Sequence, residues 1–355
     1  MVFPQMGDPA TGESGGRHGS PASLIRVSAI QGYRELVGDL GGSAGDLLRA
    51  AGIDPAALDS ADGRISYAAM IELLEDTARV LRCPDFGLRL SGRQNIDILG
   101  PAAMIAHYSD TIGASLQAIS TYFFVHTSGA TVGLLQVGPD QFQWTFEVTL
   151  PGLRARRQIN ELSMGIGQSL LDMLIGPRFR STSVQFIHRK PDDIAPLTRR
   201  FGKNLHFNAP INSVALPAHA LALPVPTANR EFRRIAEDYL RPQRAGLEAP
   251  EASQVERLIR QLLPTGRCSL QSVADVLGIH PRSLERHLRK SGSSFRNIMD
   301  ETRRQLVAAY LKDTDATLVQ VAAMLGYRDQ PAFNRAFQRW HGTSPGLWRR
   351  ASCKH

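Results

Sequence analysis

Ser269-Leu-Gln-Ser-Val-Ala-Asp-Val-Leu-Gly278 lies over Thr317-Leu-Val-Gln-Val-Ala-Ala-Met-Leu-Gly326 at a constant offset of 48 residues, with seven of the ten positions identical or closely replaced. Self-similarity at a fixed offset means one structural unit used twice. In each copy Ser or Thr suits a helix start, and Val273, Ala274 and Leu277, or Val321, Ala322 and Leu325, fall on one inward face. Gly278 or Gly326 then ends the helix in a tight turn. Pro281 and Pro331 suit the first turn of a second helix.

In those second helices the apolar residues are Leu284 and Leu288 in the first copy, and Phe333, Phe337 and Trp340 in the second, which define one narrow buried stripe. At ~100° per residue, Arg282, Arg286 and Arg289 point away from the leucines, and Asn334, Arg335 and Gln338 point away from the aromatics. Two helices joined by a short glycine turn, the second with a polar outer face, form the helix-turn-helix that presents side chains to a major groove. Arginine can donate two hydrogen bonds to guanine, and Asn or Gln can pair with adenine. Lys290, Arg296, Arg303, Arg304, Arg339, Arg349 and Arg350 suit the phosphate backbone, where they position without reading sequence.

Between the copies, Ser294 to Leu311 carries Phe295, Ile298, Met299, Thr302, Leu306, Ala309 and Tyr310 on one helical stripe without Gly or Pro. It is expected to be a single helix of ~27 Å, suited to setting two recognition helices about one DNA turn of ~34 Å apart. Charge agrees with a polyanion partner for this end alone. Val255 to His355 holds 17 Lys and Arg against 8 Asp and Glu, a net of +9, which leaves the rest of the chain at −1.

With 355 residues, 43% hydrophobic and 21% charged, the chain has the length and composition of a two-domain globular protein. No apolar run approaches the ~18 residues of a membrane span. Cys83, Cys268 and Cys353 are too scattered for a disulfide framework, zinc site or redox pair, so no metal or cofactor is expected. The N-terminus lacks a basic patch followed by an apolar core, and a cytoplasmic location is expected.

Met1 to about Ser23 is rich in Gly, Pro, Ser and Ala and reads as a disordered tail. Its Gly12-Glu13-Ser14-Gly15-Gly16 satisfies a hydrolase nucleophile pattern, but nothing flanking it supplies the strand, strained turn and helix that chemistry needs. Leu24 to Leu223 reads as an α+β domain. Helices are expected at Ser66 to Leu81, Thr111 to Val125 and Arg154 to Ile175, and a hairpin at Thr131 to Val137 and Gln141 to Leu150 around Gly138-Pro139-Asp140. Short strands are expected at Val184 to His188 and Ser213 to Leu216. Leu223-Pro224-Val225-Pro226 closes the unit. Residues 224–252 hold a short helix, Asn229 to Tyr239, and a linker, Arg241 to Pro250, before Ser253-x-x-Glu256 caps the all-α C-terminal domain, 253–355.

Leu325-Gly326-Tyr327, Phe333-x-Arg335-x-Phe337 and Gly342-Thr343-Ser344-Pro345-x-x-Trp348-Arg349 resemble the C-terminal signature of the AraC/XylS transcription regulators. The resemblance covers about the last hundred residues. It implies a seven-helix pair of helix-turn-helix units joined by a long helix. It also implies base-reading residues at Arg282, Glu285 and Arg286 in the first unit, and at Gln330 and Arg335 in the second. The sequence has Pro331 and Ala332 where polar side chains often stand in that family. More loosely, Phe86-Gly87-Leu88-Arg89-Leu90 and the region from Gly100 to Phe124 resemble the effector domain of regulators related to the ornithine-utilisation group. That likeness implies a small-molecule effector and a homodimer, with promoter DNA and RNA polymerase as the other partners.

Tyr122, Phe124, His126 and Trp144 are the candidate effector-pocket residues. The alternative, an enzymatic body using His107, His126 and Glu147 beside Tyr122, Phe123, Phe124 and Trp144, lacks any metal-ligand spacing, phosphate loop or placed nucleophile, so a non-enzyme is expected. An architectural DNA binder would not need a body of roughly 200 residues.

Overall fold

The computed structural model describes residues 23–60, 63–150, 153, 155–176, 181–245, 252–266, 268–277, 280–313 and 316–352. Residues 1–22 of the expected tail, with the Gly12 to Gly16 stretch, and Gly278 and Cys353 lie outside them.

Apolar side chains gather into two cores. The first belongs to an α+β body. It opens with a small antiparallel pair, β1 (Leu24–Arg26) and β2 (Arg64–Ser66), in which Ile25 faces Ile65. Around it lie helices α1 (Tyr33–Asp39), α2 (Ala44–Ala50), α3 (Tyr67–Val80), α4 (Phe86–Ser91), α5 (Pro101–His107) and α6 (Ile112–Tyr122). The three- and four-residue spacing that announces α3 is used for burial: Tyr67, Met70, Ile71, Leu74 and Ala78 are all buried, and the Ser66 hydroxyl accepts from the Ala69 amide to start the helix. Thr111 caps α6 likewise.

A five-stranded sheet follows, with β3 (Ala130–Gly138), β4 (Gln141–Val148), β5 (Val184–Gln185), β6 (Leu205–His206) and β7 (Asn212–Pro217) in the spatial order β3-β4-β7-β5-β6. Among the described residues only β5 and β6 pair in parallel. In the β3–β4 hairpin Val132 faces Phe146 and Leu134 faces Trp144, so these four share one side of the sheet. Thr131, Gly133, Leu135, Gln143, Thr145 and Glu147 share the other. Helix α7 (Arg157–Ile175) crosses α4 closely, because a Cβ on Gly87 would collide with the Gln158 carbonyl. Two short helices, α8 (Ala195–Phe201) and α9 (Ala218–Leu221), complete the sheet connections.

The start of the expected linker is corrected: 241–245 are helical, and 246–250 lie outside the described residues. Helix α10 (Arg230–Ala245) starts on the Asn229 side chain, which accepts from the amides of Glu231 and Phe232, and continues past Tyr239 through residue 242. It packs on α5 and buries Ala236 and Leu240 in the first core, so burial overrides the helix-breaking tendency of a proline there.

The second core is built mainly on helices: α11 (Ala252–Leu262), α12 (Leu270–Leu277), α13 (Pro281–Lys290), α14 (Phe295–Asp313), α15 (Leu318–Met324), α16 (Gln330–His341) and α17 (Pro345–Ser352). Helix α11 already includes Ala252, so Ser253 lies in its first turn instead of preceding it. The long connector α14 runs as expected, with Ile298, Leu306, Val307 and Leu311 buried. Gly326 turns the chain between α15 and α16 at φ +66°, and a Cβ there would stand 3.2 Å from Leu263, so conformation and space both select glycine. The two bodies meet where Leu135 of β3 enters the second core beside α11.

Candidate nucleic-acid interface

Each repeat builds its second helix on a buried seam. Leu284 and Leu288 anchor α13, and Phe333 and Phe337 anchor α16, all four fully buried. Burying each such side chain contributes about 1.5–3 kcal/mol, enough to fix which face remains outside. His280 caps α13, its Nδ1 accepting from the Arg282 amide at 3.2 Å, and Asp329 caps α16, accepting from the Ala332 amide at 2.8 Å. The Ala332 bond, with Arg328 and Arg335 nearby, holds the Asp329 carboxyl below the usual range.

On α13 the outer face carries Arg282, Arg286, Arg289 and Lys290, all exposed. Arg289 pairs with Glu285 at 2.9 Å, so those two candidate base readers neutralise each other until DNA competes. Arg286 and Arg282 have no ion-pair partner among the described residues. On α16 Arg335 and Gln338 are exposed and Gln330 is half-buried. Asn334 departs from expectation: it is half-buried and its Oδ1 is enclosed without a partner, so it does not stand on the outward face. Trp340 departs too. It is half-buried beneath the Arg339 guanidinium, 5.9 Å from its ring centre, and Ala336 takes the place in the seam that the aromatic stripe assigned to it.

The phosphate candidates separate into groups. Lys290, Arg296 and Arg350 are exposed. Arg304 and Arg339 are also exposed but pair with Glu301 at 2.8 Å and Asp300 at 3.5 Å. Arg303 is a correction: it donates to the carbonyls of Leu325 at 2.9 Å and Gly326 at 3.3 Å and lies 4.4 Å over the Tyr327 ring. Its guanidinium locks the turn between α15 and α16 and is not offered to phosphate. Arg349 is half-buried, with Nε and Nη2 enclosed and without a hydrogen-bond partner. The reading of the sequence passed over Arg328, which is 94% exposed just before α16. Its signal was its position, a basic residue at the turn that aims the second helix.

The α+β body holds a separate feature. A cavity of about 60 Å³ lies between the end of α6, helix α7 and the inner side of the hairpin, with Ile98, Phe123, His126, Trp144, Phe146 and Met164 in its walls. His126 and Trp144 are there as expected. Tyr122 and Phe124 are not; Phe123 lines the wall instead. Burial, aided by Arg26, pushes the His126 imidazole down to about 3, so it is neutral. Glu147 faces the opposite side of the hairpin, where burial raises its carboxyl despite Arg260 and Arg156, so the His107, His126 and Glu147 grouping is not assembled. Among the described residues no cluster of His, Cys, Asp and Glu could hold a metal ion, and no helix is long and apolar enough to cross a membrane.

Residues 41–225 match the family model for the arabinose-binding domain of AraC transcription regulators, N-terminal, and residues 273–351 match a helix-turn-helix domain model. The chain is 34% identical over 328 residues to the HTH-type transcriptional regulator VirS of Mycobacterium tuberculosis, covering 92% of this chain and 96% of the relative. It is 26% identical over 345 residues to the ornithine utilization regulator of Pseudomonas aeruginosa, covering 93% and 97%. Among solved structures, the transcriptional regulator CdpR from Pseudomonas aeruginosa aligns over 90% of this chain and 97% of its own, at 20% identity and a TM-score of 0.44.

Proposed function

This chain belongs to the AraC family of transcription regulators, and from that premise we propose that it reads two adjacent major-groove segments of promoter DNA through α13 and α16. One observation carries the reading: both repeats bury an apolar seam completely while leaving Arg282 and Arg286, or Arg335 and Gln338, in solvent. Arg282, Arg286 and Arg335 are the principal base readers, supported by Glu285, Arg289, Gln330 and Gln338, with Lys290, Arg296, Arg304, Arg339 and Arg350 on phosphates. Residues 253–355 form the DNA-binding part and residues 24–223, extended by α10, the effector part. Supporting a homodimer, Phe232, Ile235 and Tyr239 of α10 and Met104 of α5 are exposed large apolar side chains, and the three on α10 follow a three- and four-residue step. The working partners are then a second copy, a small effector and RNA polymerase, in the cytoplasm, with no reaction catalysed.

Arabinose, named in the family description, would bring several hydroxyls into a cavity walled mainly by hydrocarbon, so the effector of this chain is a less polar molecule. The test is binding of the full chain to DNA selected in vitro, measured across salt concentrations. Sequence-selective binding that weakens steeply with salt is expected, and equal affinity for all duplexes at physiological salt would refute the reading.

A further inference from the structure

Buried polar groups in folded proteins find a partner with few exceptions. Two exceptions share the cavity behind the hairpin. His126, 5% exposed, has no partner at Nδ1, and Trp144, 9% exposed, has none at Nε1. The remaining wall is mostly hydrocarbon and contains no carboxylate, lysine or arginine. The Trp144 indole can only donate. In the tautomer that carries its proton on Nε2, the neutral His126 ring leaves Nδ1 as an acceptor. A donor and an acceptor on an apolar wall without a counter-ion complement a hydroxyl group on a hydrocarbon body, because a hydroxyl both accepts and donates.

The cavity is also small. Its 60 Å³ is well short of the ~150 Å³ that accommodates a benzene ring, so a ligand must move a wall to enter. Helix α7 already lies against the indole, since a Cβ on Gly167 would stand only 2.8 Å from the Trp144 ring. The hairpin is the wall that reaches the second body. Strand β3 is at the sheet edge, paired only with β4. Its outer side carries Leu135 into the core of the DNA-binding body, and Glu147 lies within electrostatic reach of Arg260 on α11 and Tyr310 on α14.

We propose that this cavity is the effector site, that it takes a small, uncharged, mostly hydrocarbon molecule bearing one hydroxyl, and that ligand entry displaces the β3–β4 hairpin against α11 and α14. The proposal rests on the regulator reading and supplies its ligand class and its route of control. Inner and outer faces of one two-stranded unit then serve the two sites, and the coupling passes through a thickness of a single sheet.

The test uses the full chain with phenol as the probe and toluene, benzoate and L-arabinose as comparisons, followed by ligand-observed NMR and by Tm, which binding to the native state must raise. Phenol is expected to bind about 10-fold more tightly than toluene, which leaves both polar groups unpaired, and benzoate and arabinose are expected not to bind at the same millimolar concentration. Trp144→Phe keeps the ring and removes the N–H, so it should cut the preference for phenol to about 3-fold or less. Met164→Trp fills the cavity and should abolish binding of both. Phenol binding unchanged in Met164→Trp, a phenol preference unchanged in Trp144→Phe, or arabinose binding more tightly than phenol overturns the ligand class. In the second arm, saturating phenol should change affinity for selected DNA by about 3-fold or more, and Leu135→Ala should reduce that change without altering phenol affinity. DNA affinity indifferent to bound phenol overturns the relay. A chain that fails to discriminate among duplexes in any condition overturns the relay together with the regulator reading, whereas the ligand arm, measured without DNA, stands or falls by itself.

Discussion

The first helix pair, α12 with α13, anchors its second helix on two leucines, whereas the second pair, α15 with α16, anchors its second helix on Phe333 and Phe337, with Trp348 edge-on to Phe337 at 6.1 Å. Burial and presentation compete for the circumference of a helix. The leucines of α13, four residues apart, use a narrow strip and leave Arg282, Arg286, Arg289 and Lys290 in solvent. The aromatic strip of α16 also takes Ala336 and half of Trp340, and Asn334 is drawn in at its border. Fewer polar side chains remain on α16, and Arg335 has Asp329 within electrostatic reach. One duplicated design has thus been tilted toward presenting polar side chains in the first copy and toward anchoring in the second.

The largest effect should come from cutting the anchor. Phe337→Ala is expected to cost about 4 kcal/mol of stability, more than Leu288→Ala at about 3 kcal/mol, because the aromatic leaves the larger void. Chemical denaturation followed by Trp340 and Trp348 fluorescence in a Trp144→Phe background isolates the helical body. A greater loss for Leu288→Ala would abolish the asymmetry. Next in size is Arg303. Arg303→Leu should cost about 2 kcal/mol through its lost bonds to the Leu325 and Gly326 carbonyls, while the salt dependence of DNA binding stays as it was. Lys290→Ala should behave oppositely, preserving stability and lowering the salt slope by about 1. A reduced slope for Arg303→Leu would return that residue to the phosphate contacts.

Arg286→Ala should weaken binding by about 10-fold or more and relax discrimination at one base-pair position, an effect of about 1–3 kcal/mol. Arg335→Ala should do less. A panel of single-base variants of the selected site decides it, and a larger specificity loss at Arg335 would place the principal reader in the second unit.

What could be read without coordinates was local. The Ser269 and Thr317 caps, the Gly326 turn, the leucine seam of α13 and the alternation of the hairpin each follow from residues a few positions apart. Arg303 could not be read that way, because the carbonyls it holds are 22 and 23 residues distant. The cavity wall was misread at two residues, Tyr122 and Phe124, for a different reason. After Tyr122 the chain tightens into a 3-10 turn, Phe123–Val125, and the change of period brings Phe123 to the cavity in place of Phe124. The start of the linker was misplaced because Pro242 marked a break, whereas the helix runs on through residue 245 after burying Ala236 and Leu240 in the first core.

The smallest effect tests what the two copies still share. At the fourth position of the repeat Ser272 stands against Gln320, an apparent mismatch. Yet the Gln320 side chain accepts from the Thr317 amide at 2.7 Å while the Thr317 hydroxyl accepts from the Gln320 amide at 3.3 Å. Ser272 and Ser269 exchange the same two bonds at 2.9 and 3.1 Å. Both are reciprocal caps that satisfy amides a helix start leaves free, built from different side chains. Thr317→Ala and Ser269→Ala should therefore each cost about 1 kcal/mol, and each should couple to its partner, Gln320→Ala or Ser272→Ala, by about 0.5 kcal/mol in a double-mutant cycle. Coupling present in one copy and absent in the other would show that the asymmetry of the seams extends to the helix starts, and that the duplication survives there in sequence only.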